Sequence, residues 1–160
     1  MSHAATALGL LQKHIGTEEG VGEWFTMDQE RINAFADATL DHQFIHVDPQ
    51  KAAELSPYKV TIAHGFLTLS MVVHLGGKIP PAEPKAYEGM LMGVNYGLDK
   101  VRFPAPVKVD SRIRARRSLA AVEQKAPNTL QQKQVVTIEI EGESKPGCVA
   151  ETLTRLVYKD

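Results

Sequence analysis

Asp41, His42, His46 and Asp48 fall inside one short stretch, DHQFIHVDP at positions 41–49, and a further histidine, His64, stands beside Gly65 in TIAHGF just downstream. Carboxylates and imidazoles this close together suit three kinds of chemistry. Metal ligation is the first, but the spacing matches none of the regular zinc arrangements, and the sequence has neither HExxH nor paired CxxC. Covalent catalysis is the second, but Ser56, Ser70 and Cys148 lack a GxSxG or comparable setting. A cysteine heading a strand, as Cys148 does, is ordinarily buried and inert. Proton transfer without a metal is the third. Asp41 and His46 are five residues apart, so a turn can aim both at one water, and imidazole titrates near neutral pH. A solvated loop remains the plain alternative, because Asp in loops also bonds nearby backbone.

Gly65 adds a second feature. It stands at the predicted start of an apolar helix, where free N–H groups and the positive end of the helix dipole face outward. A residue without a side chain lets a ligand come close to those groups, so a polarised carbonyl oxygen could be held there.

The elements that must position these groups can be read from periodicity. Residues 4–14 form a short helix ending near Gly16, and VGEWFT is a strand or extended entry. Thr26 and Gln29 have the spacing of a capping box, opening the amphipathic helix MDQERINAFADAT. The DHQFIHVDP stretch follows in a loop or irregular turn, and Pro49 starts a second short helix with Asp48 as its N-cap. GFLTLSMVVHLGG, residues 65–77, is apolar on nearly every side, which places it in the interior. Four segments rich in Val, Ile, Thr, Arg and Leu then follow: MLMGVNYGLDKVRF, SRIRARRSLAAVEQ, LQQKQVVTIEIEG and CVAETLTRLVYKD. Alternation such as Ile113 and Ala115 against Arg112, Arg114 and Arg116 marks antiparallel strands with one buried face. Helices followed by strands give an α+β domain, an antiparallel sheet wrapped around the central apolar helix.

Residues 1–160 read as a single domain, without repeats or a low-complexity linker. A net charge of -1 with no block of like charges points away from nucleic acid and from anionic membrane as partners. No stretch is long enough to span a bilayer, the N-terminal residues lack a signal-peptide pattern, and the lone cysteine suits a reducing cytoplasm.

FADATLDHQFIHVDPQKAAE followed by TIAHGFLTLS resembles the MaoC-like, or (R)-specific enoyl-CoA hydratase, family, and in particular its nodulation-protein-N-like branch. GVNYGLDKVRFPAPVKVDSRIRA extends the likeness over nearly the whole chain. The family signature is Asp-x-Asn-Pro-x-His followed by Ala-His-Gly. The resemblance implies the hot-dog fold, a homodimer, and reversible addition of water to a trans-2-enoyl-CoA to give an (R)-3-hydroxyacyl-CoA. No cofactor or metal is implied, coenzyme A being part of the acyl-CoA thioester substrate. Asp41 and His46 match the catalytic pair, and Gly65 the glycine whose N–H binds the thioester oxygen. Gln43-Phe44 replaces Asn-Pro, and the place of a helix serine found in some hydratases falls on Val73, leaving Gln43 as the candidate for positioning the pair. His64 is read as a polar lock on the turn into the helix in preference to a proton carrier, and with Asn95 and Tyr96 it is a candidate substrate contact. Asn95 and Tyr96 line an acyl tunnel or a dimer seam, Met90, Leu91 and Met92 belong to core or tunnel wall, and Arg112, Arg114 and Arg116 form a solvated face that a coenzyme-A phosphate could use. His42 points away from the pair. A hot-dog thioesterase is disfavoured because such enzymes place an acid on the central helix, and residues 65–77 contain none. A non-catalytic acyl-thioester-binding protein with an idle pair is the other alternative.

Overall fold

A computed structural model describes residues 2–159. Helix α1 (His3–Leu11) runs into a 3-10 turn at Gln12–His14 and is followed by two short strands, β1 (Glu18–Val21) and β2 (Phe25–Met27). Helix α2 (Gln29–Thr39), the single turn α3 (Phe44–Val47) and α4 (Pro49–Leu55) lead to α5 (Gly65–Gly77). After a 3-10 turn at Pro84–Tyr87 come four long strands: β3 (Met90–Arg102), β4 (Ser111–Ala126), β5 (Thr129–Ile140) and β6 (Cys148–Tyr158). All pair antiparallel in the order β1-β4-β5-β6-β3, with β2 also on β4. The sheet curves around α5, the hot-dog arrangement.

Register explains why the sheet holds the helix. Ile113 lies opposite Ile140 and Ala115 opposite Ile138 across β4 and β5, while Ile138 and Val136 face Cys148 and Ala150 across β5 and β6. Period two puts all of these on one face, and all are buried with Leu67, Met71 and Leu75 of α5 in one core cluster. Each large apolar side chain buried there contributes roughly 1.5–3 kcal/mol. The far end of α5 is fixed by charge. The Arg117 guanidinium donates to the carbonyls of Gly76 (2.7 Å) and Ile79 (3.2 Å) and to the buried carboxylate of Glu19 (2.7 Å), a cation at the negative end of a helix. A second cluster packs Ala4, Ala7 and Leu11 of α1 on Leu119, Leu130, Leu156 and Tyr158 at the other end of the sheet.

Several expectations change here. Thr26 and Gln29 do not form a capping box: Thr26 lies within β2 opposite Arg112, and Asp28 is the N-cap of α2, accepting the Arg31 N–H at 2.9 Å. Helix α5 is apolar all round but buried on one face only. Phe66 is 71% exposed and Val73 62%. Strand β3 is exposed along almost its whole length, and Leu91 and Met92 stand outside the core. The arginine ladder is solvated but occupied: Arg112 pairs with Glu141, Arg114 with Glu139, and Arg116 with both Glu139 and Glu18. Its charge is therefore spent within the chain. Cys148 is buried, and burial pushes its thiol up to about 11, which makes it inert at neutral pH. Among the described residues no helix is long and apolar enough to cross a membrane.

Candidate active site

Helix α2 ends at Thr39, and its C-cap Leu40 takes a left-handed conformation, φ 64°. A leucine there costs about 1 kcal/mol relative to glycine, and the reversal it makes delivers Asp41 immediately afterwards. The turn α3 follows, closed by the His46 N–H donating to Gln43 O (2.9 Å) and the Asp48 N–H donating to Phe44 O (3.0 Å). Asp48 then caps α4, accepting the Lys51 N–H at 3.0 Å, with Pro49 in the first helical position as the sequence predicted. Asp41 and His46 are thus fixed between two capped helices.

A second segment, residues 61–65, is tied to the first. The Ile62 N–H donates to Ile45 O (2.9 Å), and His46 Nδ1 donates to Ile62 O (2.7 Å). A carbonyl only accepts, so the proton of neutral His46 sits on Nδ1 and Nε2 keeps its lone pair. His64 Nε2 donates to the backbone carbonyl of Asp41 at 2.9 Å and lies 4.0 Å from its Oδ2. The two imidazole rings stack at 3.8 Å with planes 24° apart, and the Phe35 ring tilts against the other side of His64 at 4.9 Å. His46 and His64 are buried, 8% and 2% exposed, whereas the Asp41 side chain is 54% exposed. Burial lowers the pKa of His46 below its ordinary value; the His64 ring works in the same direction, and the bond to Ile62 and the Asp41 carboxylate only partly oppose it. His46 is therefore a neutral base in ordinary buffers.

Asp41, His46 and His64 bring one ligating atom each to within 4.8 Å of one another. As a metal site the geometry is poor: His46 spends Nδ1 on Ile62 and His64 spends Nε2 on Asp41, and stacked rings aim their remaining lone pairs in nearly parallel planes. His64 Nδ1 is buried without a hydrogen-bond partner among the described residues.

Gly65 begins α5, so its N–H is one of the first-turn donors with no intrahelical acceptor. It opens on a cleft of about 330 Å³ walled by Tyr58, Ile62, Ala63, Thr68 and Phe103. A Cβ at Gly65 would meet the Phe103 ring at 3.1 Å. The glycine thus leaves room both for that ring and for a ligand oxygen to approach the N–H.

The other predicted residues fall differently. His42 turns away to Asp37 (2.7 Å). Gln43 touches the pair through its backbone: its N–H reaches Asp41 Oδ1 at 3.4 Å, and among the described residues no hydrogen bond involves its amide side chain. Asn95 and Tyr96 do not line the Gly65 cleft. They belong to a second cleft of about 280 Å³ beside Leu69, Val72 and Val73 on the uncovered side of α5, with the Arg155 guanidinium 4.0 Å over the Tyr96 ring. Val73 stands eight residues along α5 from Gly65, a rise of about 12 Å, too far to orient the pair.

One residue that sequence reasoning misplaced does reach it. Gln29 Nε2 donates to the His46 carbonyl at 2.7 Å and to Asn33 Oδ1 at 2.9 Å, while its Oε1 accepts the hydroxyl of buried Thr61. A glutamine at a helix start looks like a cap in sequence. Nothing local distinguishes an amide that caps from one that reaches across to another segment.

Comparison with known proteins agrees with this architecture. Residues 11–142 match the family described as the MaoC like domain. The chain is 48% identical over 144 residues to 3-hydroxyacyl-thioester dehydratase Z of Mycobacterium tuberculosis, covering 89% of this chain and 90% of that protein. It is 47% identical over 152 residues to Nodulation protein N of Rhizobium leguminosarum bv. viciae, covering 95% of this chain and 92% of that one. In structure it resembles the R-hydratase PhaJ1 of Pseudomonas aeruginosa, with a TM-score of 0.63 at 20% identity over 91% of this chain and 83% of that one.

Proposed function

The chain belongs to the MaoC-like domain family, and we propose on that premise that it is an (R)-specific enoyl-CoA hydratase, a hydro-lyase working reversibly between trans-2-enoyl-CoA and (R)-3-hydroxyacyl-CoA. The observation that carries the reading is the state of His46. Its Nδ1–H is committed to Ile62 O, its Nε2 is left as a base, and an Asp41 carboxylate oxygen lies within 4.8 Å of one of its ring nitrogens, close to the residues that open α5. The kinship with a protein named for 3-hydroxyacyl-thioester dehydration supports the substrate class.

In this scheme the thioester carbonyl enters the Gly65 cleft and accepts the Gly65 N–H. His46 Nε2 takes one proton from a water held between it and Asp41 while the water oxygen bonds C3. Negative charge develops on the thioester oxygen, where the N–H and the helix dipole stabilise it. His46 passes the proton it took from water to the Asp41 carboxylate, and the carboxyl so formed delivers it to C2 from the same face, which leaves His46 neutral and Asp41 a carboxylate as at the start. One water is consumed, no net proton is released, and no metal or redox cofactor takes part. A homodimer is part of the proposal: β3 leaves a sheet edge and Val94, Tyr96 and Leu98 exposed next to the uncovered face of α5, which a second copy would cover. The occupied arginine ladder is not assigned to the coenzyme-A phosphates, and the lone buried cysteine suits a reducing cytoplasm.

The test is to mix purified protein with crotonyl-CoA and follow the enoyl-thioester absorbance and free thiol together. The absorbance falls without thiol release if the proposal holds. Thiol release would mean a thioesterase, and binding without either change would mean an idle pair.

A further inference from the structure

Resting on the hydratase reading, we propose that Gln29 is a positioning residue of this site, acting with Thr61 to hold His46 in the Nδ1–H form with its Nε2 free for water. A histidine tautomer is fixed by the bonds its two ring nitrogens make. The decisive contact is His46 Nδ1–H to Ile62 O, at 2.7 Å. Its two ends lie on different segments, α3 and the residues before α5, and an exposed hairpin of helix and loop separates them in sequence. The Ile62 N–H to Ile45 O bond ties the two segments at one point, and a second tie is needed to fix the angle at which the ring meets its acceptor.

Gln29 is placed to do that. Its amide donates to the main-chain carbonyl of His46, the residue that supplies the ring, at 2.7 Å. Its carbonyl accepts the hydroxyl of Thr61, the residue next to the one that supplies the acceptor. One rigid amide plane therefore spans both ends of the contact. Asn33, one turn along α2, accepts the second amide hydrogen at 2.9 Å and fixes which way the amide faces. Thr61 is buried at 1% exposed, so its hydroxyl has no solvent to turn to, and its own carbonyl is held by the Val109 N–H at 2.9 Å. The clamp also explains why this chain manages with Gln43-Phe44 after Asp41, since the Gln43 amide makes none of these bonds. Gln29 touches no reacting atom and acts only through His46.

The test uses the full-length protein with Gln29→Leu, Thr61→Val and Thr61→Ser. Loss of the clamp lets the imidazole shift by a fraction of an ångström to about 1 Å, so Gln29→Leu lowers kcat about 10- to 100-fold with KM changed less than about twofold. Thr61→Val follows the same pattern, the double variant is no worse than the poorer single one, and Thr61→Ser, which keeps the hydroxyl, restores the rate. Imidazole ¹⁵N shifts read the cause directly and need no turnover. Wild-type His46 shows one neutral tautomer, protonated at Nδ1, and Gln29→Leu shows a mixture. Loosening the bond to Ile62 removes an influence that raises the His46 pKa, so its midpoint moves further down; the groups facing it, His64 and Asp41, are unchanged. A folded Gln29→Leu protein with wild-type kcat and a single Nδ1–H tautomer overturns the proposal. If the wild type hydrates no enoyl-CoA, the hydratase reading fails and the tautomer alone decides the role of Gln29. If Gln29→Leu does not fold, the Thr61 pair decides it: equal rates and tautomers in Thr61→Val and Thr61→Ser overturn the clamp.

Discussion

Residues 41–65 and strand β3 treat their side chains in opposite ways. Around the site, polar groups close on one another within the chain: His46 on Ile62, His64 on Asp41, and Gln29 on both His46 and Thr61. Along β3, Leu91, Met92, Val94, Tyr96 and Leu98 stand exposed, and the facing side of α5 leaves Phe66 and Val73 uncovered as well. Under the proposal the difference separates two tasks. Proton transfer needs groups held to fractions of an ångström and is built from one chain, while the wall beside α5 is completed by a second copy.

The largest effect should come from breaking the self-contained side. His46→Gln and Asp41→Asn each lower hydration of crotonyl-CoA about 1000-fold, within the range for losing a general acid or base, while circular dichroism and dimer mass stay those of the wild type. Breaking the other side should do the reverse. Val94→Lys with Leu98→Lys places like charges across the proposed seam and weakens self-association about 100-fold or more, read by light scattering, while the His46 tautomer is preserved. Gly65→Ala sharpens the boundary between positioning and binding. Its Cβ needs the Phe103 ring, 3.1 Å away, to give by a few tenths of an ångström and crowds the approach to the Gly65 N–H, so kcat/KM falls about tenfold. The pH profile tests how the buried imidazole is held. His46 must be neutral to act, its pKa is lowered chiefly by burial, and activity is lost as pH falls through that lowered value. The acid limb of kcat/KM therefore lies below the ordinary histidine value of about 6.5; a midpoint at or above it would mean that His46 is not the base. The smallest effect belongs to Gln43→Ala, which removes a side-chain amide that hydrogen-bonds to neither member of the pair among the described residues and changes kcat less than about twofold.

Much of this was legible in the sequence because it is local. Helix α5 runs over the predicted residues 65–77, the four alternating segments are β3 to β6, and Asp48-Pro49 starts α4. The five-residue spacing of Asp41 and His46 likewise anticipated that the two would lie close together, as they do. What escaped was non-local or two-valued. An all-apolar helix reads as interior whether its far side meets its own chain or another one, so the exposure of Phe66 and Val73 could not be foreseen. Gln29 satisfied a capping pattern while its partners lay at residues 46 and 61, and the left-handed turn at Leu40 has no signature when the residue is a leucine. The stacking of His64 on His46 depends on how α5 docks against α3, which no spacing records.

The most direct measurement is the configuration at C3 of the product formed from crotonyl-CoA by the wild type, with His46→Gln and Asp41→Asn run beside it. The account predicts (R)-3-hydroxybutyryl-CoA from the wild type and almost none from either variant. An (S) product, or the same product formed at an undiminished rate without His46, would contradict it.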